Sequence, residues 1–267
     1  MNFEPASFSE RMDDRYMKIL GSDLDGTFSH GGVGEAKLTA VRAWRAAGHK
    51  FGIISGRGGH YLPELLSSYP GLELDFFAAC NGGYITDMEG RVLHEVRCDT
   101  VSVPKFAADL SAWGCKYIHV NGKQYFCAVA KSEDRPSWIS EKETILIADI
   151  PPIDYFYQIS VAVSTSEDAA ALVKRIRESH GKWLTPLQNG TCIDIVPNGV
   201  DKAKGMYFVM DLFGGSYDDV IVVGDNVNDM DMIREFRSYA MTNGVDEIKK
   251  LATYTIDDVV DLIKEEI

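Results

Sequence analysis

The sequence predicts an α/β protein with a parallel sheet and a second, smaller α/β domain inserted into it. Short apolar runs alternate with helical patterns towards both ends of the chain, which is typical of βαβ units. A central block interrupts this pattern, because strands there follow one another across the turn Asn121-Gly122. The 267 residues, of which 45% are hydrophobic and 25% charged, suffice for one large domain or two modest ones.

The first part of the chain alternates strand and helix. Residues 18–21 form a short apolar run that ends in an acidic cluster, and Gly48 closes the first predicted helix. A hairpin follows the third strand, with Met88-Glu89-Gly90 as its turn. The elements predicted here are strands at 18–21, 50–54 and 76–79, helices at 38–47 and 61–68, and the hairpin at 84–97.

The last part of the chain returns to the same alternation. Residues 220–223 are four consecutive apolar residues, as expected for a strand buried on both faces of a parallel sheet. The other elements predicted here are helices at 227–235, 245–252 and 256–267, and strands at 238–241 and 253–255.

The central block needs a hydrophobic core of its own. Its predicted elements are helices at 104–113 and 167–179, and strands at 117–120, 124–129, 156–163 and 191–196. No element is predicted for 133–148. We place an N-terminal extension at 1–16, a core domain at 17–96 and 191–267, and the inserted domain at 97–190.

Composition excludes several classes of protein. The net charge is −13, from 40 acidic and 27 basic residues, which argues against a nucleic-acid partner because such a partner needs a basic surface. Residues 1–16 lack the apolar segment of a signal peptide, and no apolar window is long enough to span a membrane. The five cysteines never form a C-x-x-C pair, as expected of reduced thiols in a cytoplasmic protein.

Two carboxylates and a hydroxyl follow the first two predicted strands. Within Asp23-Leu24-Asp25-Gly26-Thr27, Asp23 can attack phosphorus as a nucleophile and Asp25 can act as general acid and base. Ser55 and Gly56 follow the second strand, where a hydroxyl and a free backbone N–H can bind phosphate oxygens. Taken singly, an acidic turn or an N-cap serine has an ordinary structural explanation.

Two further polar groups come late in the chain. Lys202 lies at a predicted helix start, where it can neutralise a phosphate and the nucleophilic carboxylate together. Asp225 follows the strand at 220–223, and Asn228 and Asp229 come within the next helical turn. Carboxylates from two strands suit Mg²⁺, which prefers oxygen ligands in octahedral geometry. All of these groups follow predicted strands, at the edge where open α/β sheets bind ligands.

Taken together, the motifs resemble the haloacid dehalogenase superfamily of phosphohydrolases, and within it the Cof-type branch. The resemblance covers about 240 residues, from Lys18 to near the end of the chain. The matching segments are Asp23 to Thr27 for D-x-D-G-T, Ser55 for the Ser/Thr motif, Asn81-Gly82-Gly83 for N-G-A, Gly199 to Lys202 for G-V-S-K, and Gly224 to Met232 for G-D-N-x-N-D-x-x-M.

This resemblance implies a Rossmann-like core with an inserted α/β cap of the C2 type. It also implies Mg²⁺-dependent hydrolysis of small phosphate monoesters, often sugar phosphates, so that the partner is a small phosphorylated metabolite. By position, Asp23 would be nucleophile and metal ligand, and Asp25 would be acid, base and metal ligand through its backbone carbonyl. Asp225 would complete the metal ligands, supported by Asp229. The residues that would hold the phosphate are Ser55, Gly56, Lys202 and Asn228.

Two other functions stay open at this point. A phosphomutase shares the same core motifs and differs in passing the phosphate to a bound sugar. A non-catalytic sugar-phosphate-binding regulator could also use the fold, although it has little reason to keep every catalytic residue. The sequence departs from the family where Gly21-Ser22 precede the nucleophile, because bulky apolar residues are usual there.

The substrate and the oligomeric state are left open by the sequence. Arg57 can contact substrate or pair with a carboxylate such as Glu64. Polar residues near turns of the inserted domain are candidates for substrate contact, namely His119, Asn121, Lys123 and Asn189.

Overall fold

The structure, a computed structural model, describes residues 17–137 and 139–267. The predicted N-terminal extension at 1–16 lies outside these residues. The described strands form two separate sheets, one of eight strands and one of six. No helix within the described ranges is long and apolar enough to cross a membrane.

Strands and helices alternate at both ends of the chain, as the sequence predicts. The strands are β1 (Ile19–Ser22), β2 (Lys50–Ile54), β3 (Phe76–Ala79), β4 (Tyr84–Thr86), β5 (Val92–Glu95), β6 (Tyr117–Gly122), β7 (Tyr125–Val129), β8 (Thr144–Leu146), β9 (Phe156–Ala162), β10 (Leu184–Asn189), β11 (Cys192–Pro197), β12 (Val220–Gly224), β13 (Arg237–Met241) and β14 (Tyr254–Ile256). The α-helices are α1 (Glu35–Ala46), α2 (Leu62–Ser68), α3 (Val103–Ala112), α4 (Ser166–His180), α5 (Lys202–Phe213), α6 (Met230–Glu235), α7 (Asp246–Leu251) and α8 (Val259–Glu266).

The larger sheet runs in the order β14-β13-β12-β1-β2-β3-β4-β5. Its strands from β14 to β3 are parallel, and the hairpin of β4 and β5 adds two antiparallel strands at one edge. Every residue of β1 and β12 is buried, because helices cover both faces of the sheet. Trp44 and Leu262 belong to the core on one face, and Met206 and Ile248 to the core on the other. The Rossmann-like α/β core is confirmed.

The smaller sheet belongs to the inserted domain, the cap, and runs in the order β10-β11-β9-β6-β7-β8. Its strands are antiparallel except for the pair β7 and β8. Helices α3 and α4 contribute Phe106 and Ile176 to a core with Ile118, Val161 and Ile195 of the sheet. Since side chains alternate along a strand, the residues between these apolar ones lie on the opposite face.

The structure differs from the sequence prediction at the end of the inserted domain. The predicted core segment 191–267 begins with β11, which pairs with β9 and β10 in the smaller sheet. The smaller sheet therefore extends to Pro197. The strand predicted at 191–196 as part of the central block is thus confirmed there, and the domain boundary placed at 190 lies too early because it cuts this strand off from its sheet.

Two strands and one helix boundary escaped the sequence prediction. The strand β8 lies inside the unassigned segment 133–148 and is only three residues long. The strand β10 contains Pro186, which is tolerated because β10 is at the edge of its sheet. The last helix begins at Val259 because the carboxylate of Asp258 caps it.

Polar contacts hold the cap against the carboxyl edge of the core sheet. The side-chain nitrogen of Asn81 donates hydrogen bonds to Gln158 Oε1 and Asp194 Oδ2, each over 2.9 Å. Gln158 Nε2 donates to the backbone oxygen of Gly56 over 2.7 Å. At Gly58 an added Cβ would lie 1.8 Å from Asn121 Oδ1, so the cap approaches too closely for any larger residue. These contacts close a cleft over the ends of the core strands.

A buried ammonium group holds the loop that follows β1. Lys37 Nζ donates to the backbone oxygens of Phe28, His30 and Gly32 over 2.9, 2.6 and 3.2 Å. It also lies 3.3 Å from Asp258 Oδ2. A single side chain of α1 thus satisfies the loop carbonyls that no strand or helix pairs.

We expect Lys37→Met to lower the free energy of unfolding by about 2 kcal/mol, because the loop carbonyls and Asp258 lose their partner. Urea unfolding at pH 7 measures this change. Lys105→Met removes an exposed lysine and should change the free energy of unfolding by less than about 0.5 kcal/mol. Equal effects of the two substitutions would contradict the bracing role of Lys37.

Candidate active site

Three carboxylates meet at the carboxyl edge of the core sheet. Asp23 directly follows β1 and Asp225 directly follows β12, and these two strands are parallel neighbours. The backbone N–H of Asp23 extends their pairing by donating to the oxygen of Val223 over 3.0 Å. One carboxylate oxygen from each of Asp23, Asp225 and Asp229 lies within 4.8 Å of the others. Such an arrangement concentrates negative charge at one point.

Lys202 supplies the positive charge at this point. It is the first residue of α5, whose N-cap Asp201 accepts a hydrogen bond from the backbone of Lys204 over 2.8 Å. Lys202 is 1% exposed, and its Nζ donates to Asp23 Oδ1 over 2.6 Å and to Asp229 Oδ1. Burial alone would lower the pKa of Lys202, but Asp229 and Asp23 outweigh it and raise that pKa. Lys202 therefore stays charged.

Asp229 is held in place by the backbone that precedes it. Its Oδ2 accepts hydrogen bonds from the N–H groups of Asp225 and Asn226 over 3.0 and 3.1 Å. Its Oδ1 is left to accept from Lys202. Asp229 thus links the position of the lysine to that of Asp225.

The surroundings of Asp23 disfavour the ionised form of its carboxyl group. Burial raises the pKa of its carboxyl to about 8, against the attraction of Lys202 and with the repulsion of Asp229 and Asp225. One lysine does not compensate three carboxylates. A further cation would stabilise the ionised form of Asp23.

The turn after Asp23 needs a glycine. Gly26 has a φ of +84°, and an added Cβ would lie 2.4 Å from Asp225 Oδ2. Thr27 Oγ1 donates to Asp225 Oδ1 over 2.9 Å. The chain therefore turns tightly around Asp225 and directs Asp25 towards the cleft.

The guanidinium group of Arg57 binds the carboxylate of Asp25 through two hydrogen bonds. Arg57 Nε and Nη2 each donate to one carboxylate oxygen of Asp25 over 2.7 Å, and the guanidinium carbon lies 4.1 Å from the centre of the Tyr61 ring. The sequence left open whether Arg57 contacts substrate or a carboxylate such as Glu64. In the structure its partner is Asp25, 32 residues earlier in the chain.

Ser55 and Gly56 form the loop after β2. Ser55 is buried, its N–H donates to the oxygen of Ala78 over 2.8 Å, and its Oγ accepts from the backbone of Arg57 over 3.2 Å. Ser55, Gly56 and Asn228 lie on the wall of one cleft with Asp23. The buried Oδ1 of Asn228 has no hydrogen-bond partner. The predicted phosphate-binding groups are therefore neighbours, and their chemical roles stay predictions.

The cleft lies between core and cap and measures about 670 Å³. Asp23 and Asp25 lie on its core side. The wall that the cap contributes comprises His119, Asn121, Tyr125, Ile139, Glu143, Ser160, Asn189, Cys192 and Asp194. A bound molecule would touch both domains.

The cap wall follows from the register of its sheet. His119 of β6 is opposite Ser160 of β9, which is opposite Asp194 of β11. Asn121 is opposite Tyr125 of β7. These positions alternate with the apolar ones that face the cap helices, so the whole row faces the core.

Three of the four polar candidates from the sequence, His119, Asn121 and Asn189, line the cleft. Lys123 instead pairs with Asp154 over 2.5 Å. The sequence prediction missed Asp194, although its place between Ile193 and Ile195 signals the polar face of a strand. Glu143 carried no such signal, since its segment was unassigned.

Comparisons with known proteins agree with this architecture. A family model described as haloacid dehalogenase-like hydrolase matches residues 20–261. The chain is 25% identical over 248 residues to the 5-amino-6-(5-phospho-D-ribitylamino)uracil phosphatase YbjI of Escherichia coli, covering 89% of this chain and 90% of that protein. It is 25% identical over 262 residues to the pyridoxal phosphate phosphatase YbhA of Escherichia coli, covering 90% and 93%.

A solved structure, that of the subclass IIB sugar phosphatase BT4131, matches with a TM-score of 0.74 at 21% identity, covering 93% of this chain and 98% of that one. The chain belongs to the haloacid dehalogenase-like hydrolase family. It is an enzyme of the phosphatase class, and the resemblance to the Cof-type branch is confirmed.

A buried histidine of the cleft makes the stability of the protein dependent on pH. Burial lowers the pKa of His119 to about 4, below the value of about 6.5 for an unfolded chain. The unfolded chain therefore takes up protons at a higher pH than the folded protein. The stabilisation is complete above pH 6.5 and is lost as the pH falls towards 4.

The free energy of unfolding of the wild type falls between pH 7 and pH 5. We expect this fall to be about 1 kcal/mol smaller in His119→Asn. Urea unfolding at these two values measures the difference. His30→Gln changes an exposed histidine and should leave the wild-type pH dependence intact. If the free energy of unfolding of His119→Asn fell as much as that of the wild type between these two pH values, the imidazole of His119 would not be buried and neutral.

Proposed function

We propose that this phosphatase hydrolyses small phosphate monoesters in a Mg²⁺-dependent reaction through an aspartyl-phosphate on Asp23. The observation that carries the proposal is the position of the Asp23 carboxylate, which lies 2.6 Å from Lys202 Nζ at the floor of the cleft. A carboxylate beside a lysine can approach phosphorus without excessive repulsion from the phosphate dianion.

The residues at the strand ends suit a magnesium ion. Asp23, Asp225 and Asp229 offer only carboxylate oxygens, the donor type that Mg²⁺ prefers. Asp23 and Asp225 would bind it directly, joined by the backbone carbonyl of Asp25. Asp229 would support them through Lys202 and the backbone of Asp225. The chemistry that Mg²⁺ supplies when bound is neutralisation and orientation of the phosphate.

In the first step, a carboxylate oxygen of Asp23 forms a bond to phosphorus and the ester P–O bond breaks. Asp25, in its protonated form, gives its proton to the leaving oxygen. The products are the free alcohol and the aspartyl-phosphate. Both carboxylate oxygens of Asp25 accept hydrogen bonds from Arg57, so Asp25 must release at least one of these bonds to reach the leaving oxygen.

In the second step, water attacks the same phosphorus atom. The carboxylate of Asp25 accepts a proton from this water, and the bond between Asp23 and phosphorus breaks to give inorganic phosphate. Arg57, which contacts Asp25 over 2.7 Å, would hold this carboxylate in position beside the water. The phosphate oxygens would be held by Ser55, the N–H of Gly56, Asn228 and Lys202.

The substrate we propose is a sugar phosphate or a similar metabolite. The relatives named above act on a phosphoribitylamino-uracil and on pyridoxal phosphate, and the cleft of about 670 Å³ can enclose molecules of that size. Because the cap covers the catalytic edge, its residues would contact the leaving group.

We expect Asp23→Asn to lower phosphate release by about 1,000-fold or more, because an amide is no nucleophile for phosphorus. Release is measured from p-nitrophenyl phosphate and a panel of phosphorylated metabolites, with and without Mg²⁺. Asp231→Asn changes an aspartate paired with Arg234 on α6 and should keep the wild-type rate. Turnover by Asp23→Asn at the wild-type rate would refute the nucleophile assignment.

We expect Asp225→Asn to weaken Mg²⁺ binding and activity together, because the site loses one of its anionic ligands. Calorimetric titration of Mg²⁺ and the Mg²⁺ dependence of the rate are the two measurements. Asp231→Asn again serves as the control. An unchanged titration curve in Asp225→Asn would place the metal elsewhere.

A further inference from the structure

The cap side of the cleft offers hydrogen bonds without positive charge. Among the described residues that line the cleft, none contributed by the cap is a lysine or an arginine. His119, Asn121 and Ser160 lie in adjacent strands on the face that points towards the core. The hydroxyl of Ser160 is engaged with Asp194 and Gln158. The uncharged side chains of His119 and Asn121 both donate and accept hydrogen bonds, so they match hydroxyl groups of a bound molecule.

The aromatic groups at this wall are uncharged too. The rings of His60 and Tyr125 stack with their centroids 3.4 Å apart, and Tyr125 lies 5.3 Å from His119. Desolvation lowers the pKa of the His60 and His119 imidazoles to about 4. Neither histidine therefore brings a positive charge to this wall at pH 7.

Carboxylates dominate the charge of the cleft wall outside the Asp23 site. Glu64 and Glu143 are exposed at its wall, and neither belongs to an ion pair in the part of the chain that the structure describes. Asp194 accepts hydrogen bonds from Ser160 and Asn81, which are uncharged. The arginine of this wall, Arg57, is already bound to Asp25 through two hydrogen bonds.

Asn121 belongs to the uncharged polar part of this wall. Its side chain is 6% exposed and lines the cleft, and it is hydrogen-bonded to His60. Polar side chains of this kind favour a polar ligand over an apolar one.

We propose that the cap half of the cleft selects phosphate monoesters of neutral, hydroxyl-bearing alcohols and rejects those whose leaving group carries a second negative charge. The inference rests on the proposed phosphatase function, since that function orients the phosphate towards Asp23. Glu143 is the residue of the cap that repels the second charge, because it lines the cleft and its hydrogen-bond partner, the hydroxyl of Ser140, carries no charge. Repulsion of this kind discriminates by disfavouring the wrong ligand.

The proposal bears on phosphomutase activity. A mutase of this type needs a sugar bisphosphate, whose second phosphate would have to fit in a cleft whose wall carries the carboxylates of Glu64 and Glu143. No cation of the described cap wall is available to receive it. The same charges therefore favour transfer of the phosphate to water.

The test uses two esters that differ in one charge. D-glucitol 6-phosphate and 6-phospho-D-gluconate share their carbon chain, but the latter ends in a carboxylate. Each is measured as a substrate and as a competitive inhibitor of p-nitrophenyl phosphate hydrolysis by the full chain with Mg²⁺. We expect a kcat/KM, or an inhibitory affinity, about tenfold higher for the glucitol ester at low salt.

The quantity compared is the ratio of the kcat/KM values, or of the inhibitory affinities, of the two esters. Glu143→Gln should lower this ratio by about threefold or more, because it removes the repelling charge and keeps the shape of the side chain. Added salt should narrow the wild-type ratio as well, since exposed charges are screened. Glu141→Gln is the matched control, because Glu141 lies on the same helical turn, is exposed and does not line the cleft. It should leave the ratio unchanged.

The outcomes separate the two hypotheses. Equal values for the two esters, or a ratio that Glu143→Gln does not change, would overturn the charge selection. Absence of phosphate release from every compound, p-nitrophenyl phosphate included, would instead overturn the proposed function.

Discussion

The active site depends on one ion-pair arrangement, in which a buried lysine lies between carboxylates from separate strands. Lys202 Nζ contacts Asp23 and Asp229, and Asp229 in turn accepts hydrogen bonds from the backbone that carries Asp225. An unpaired charge at this depth would cost several kcal/mol, so the strand ends and the start of α5 are held together by their charges. The same arrangement leaves an excess of negative charge, which would favour a bound cation in the proposed phosphate site.

The cap sheet packs against the cap helices with one face and lines the cleft with the other. Its strands present Ile118, Val161 and Ile195 to the cap helices, while the alternate positions carry His119, Ser160 and Asp194 towards the core domain. Hydrogen bonds hold this polar face of the cap against the core domain. Gln158 donates to Gly56, and Asn81 donates to Gln158 and Asp194. Since Gly56 belongs to the proposed phosphate loop, the position of the cap and the geometry of phosphate binding are mechanically linked.

Arg57 connects the phosphate loop to the acid and base of the proposed reaction. Its backbone N–H donates to Ser55 Oγ while its guanidinium holds Asp25. A change at the loop on phosphate binding would thereby reach Asp25, whose protonation state differs between the two steps. The arginine also explains why the wall near the catalytic residues has no free cation to offer a second anionic group of the substrate.

Local sequence determined the elements of the core and the identity of its chemical groups. Apolar runs such as 220–223 can be buried on both faces only in a covered parallel sheet, and the motifs around Asp23, Ser55, Lys202 and Asp225 follow directly from strand ends. The tertiary structure decided what depends on contacts between distant segments. These are the position of β11 between β9 and β10 in the cap sheet, the pairing of Arg57 with Asp25, and the place of Glu143 and Asp194 on the wall of one cleft. Periodicity reports which face of a strand is polar, but the partner of that face is set by packing and charge over many residues of separation.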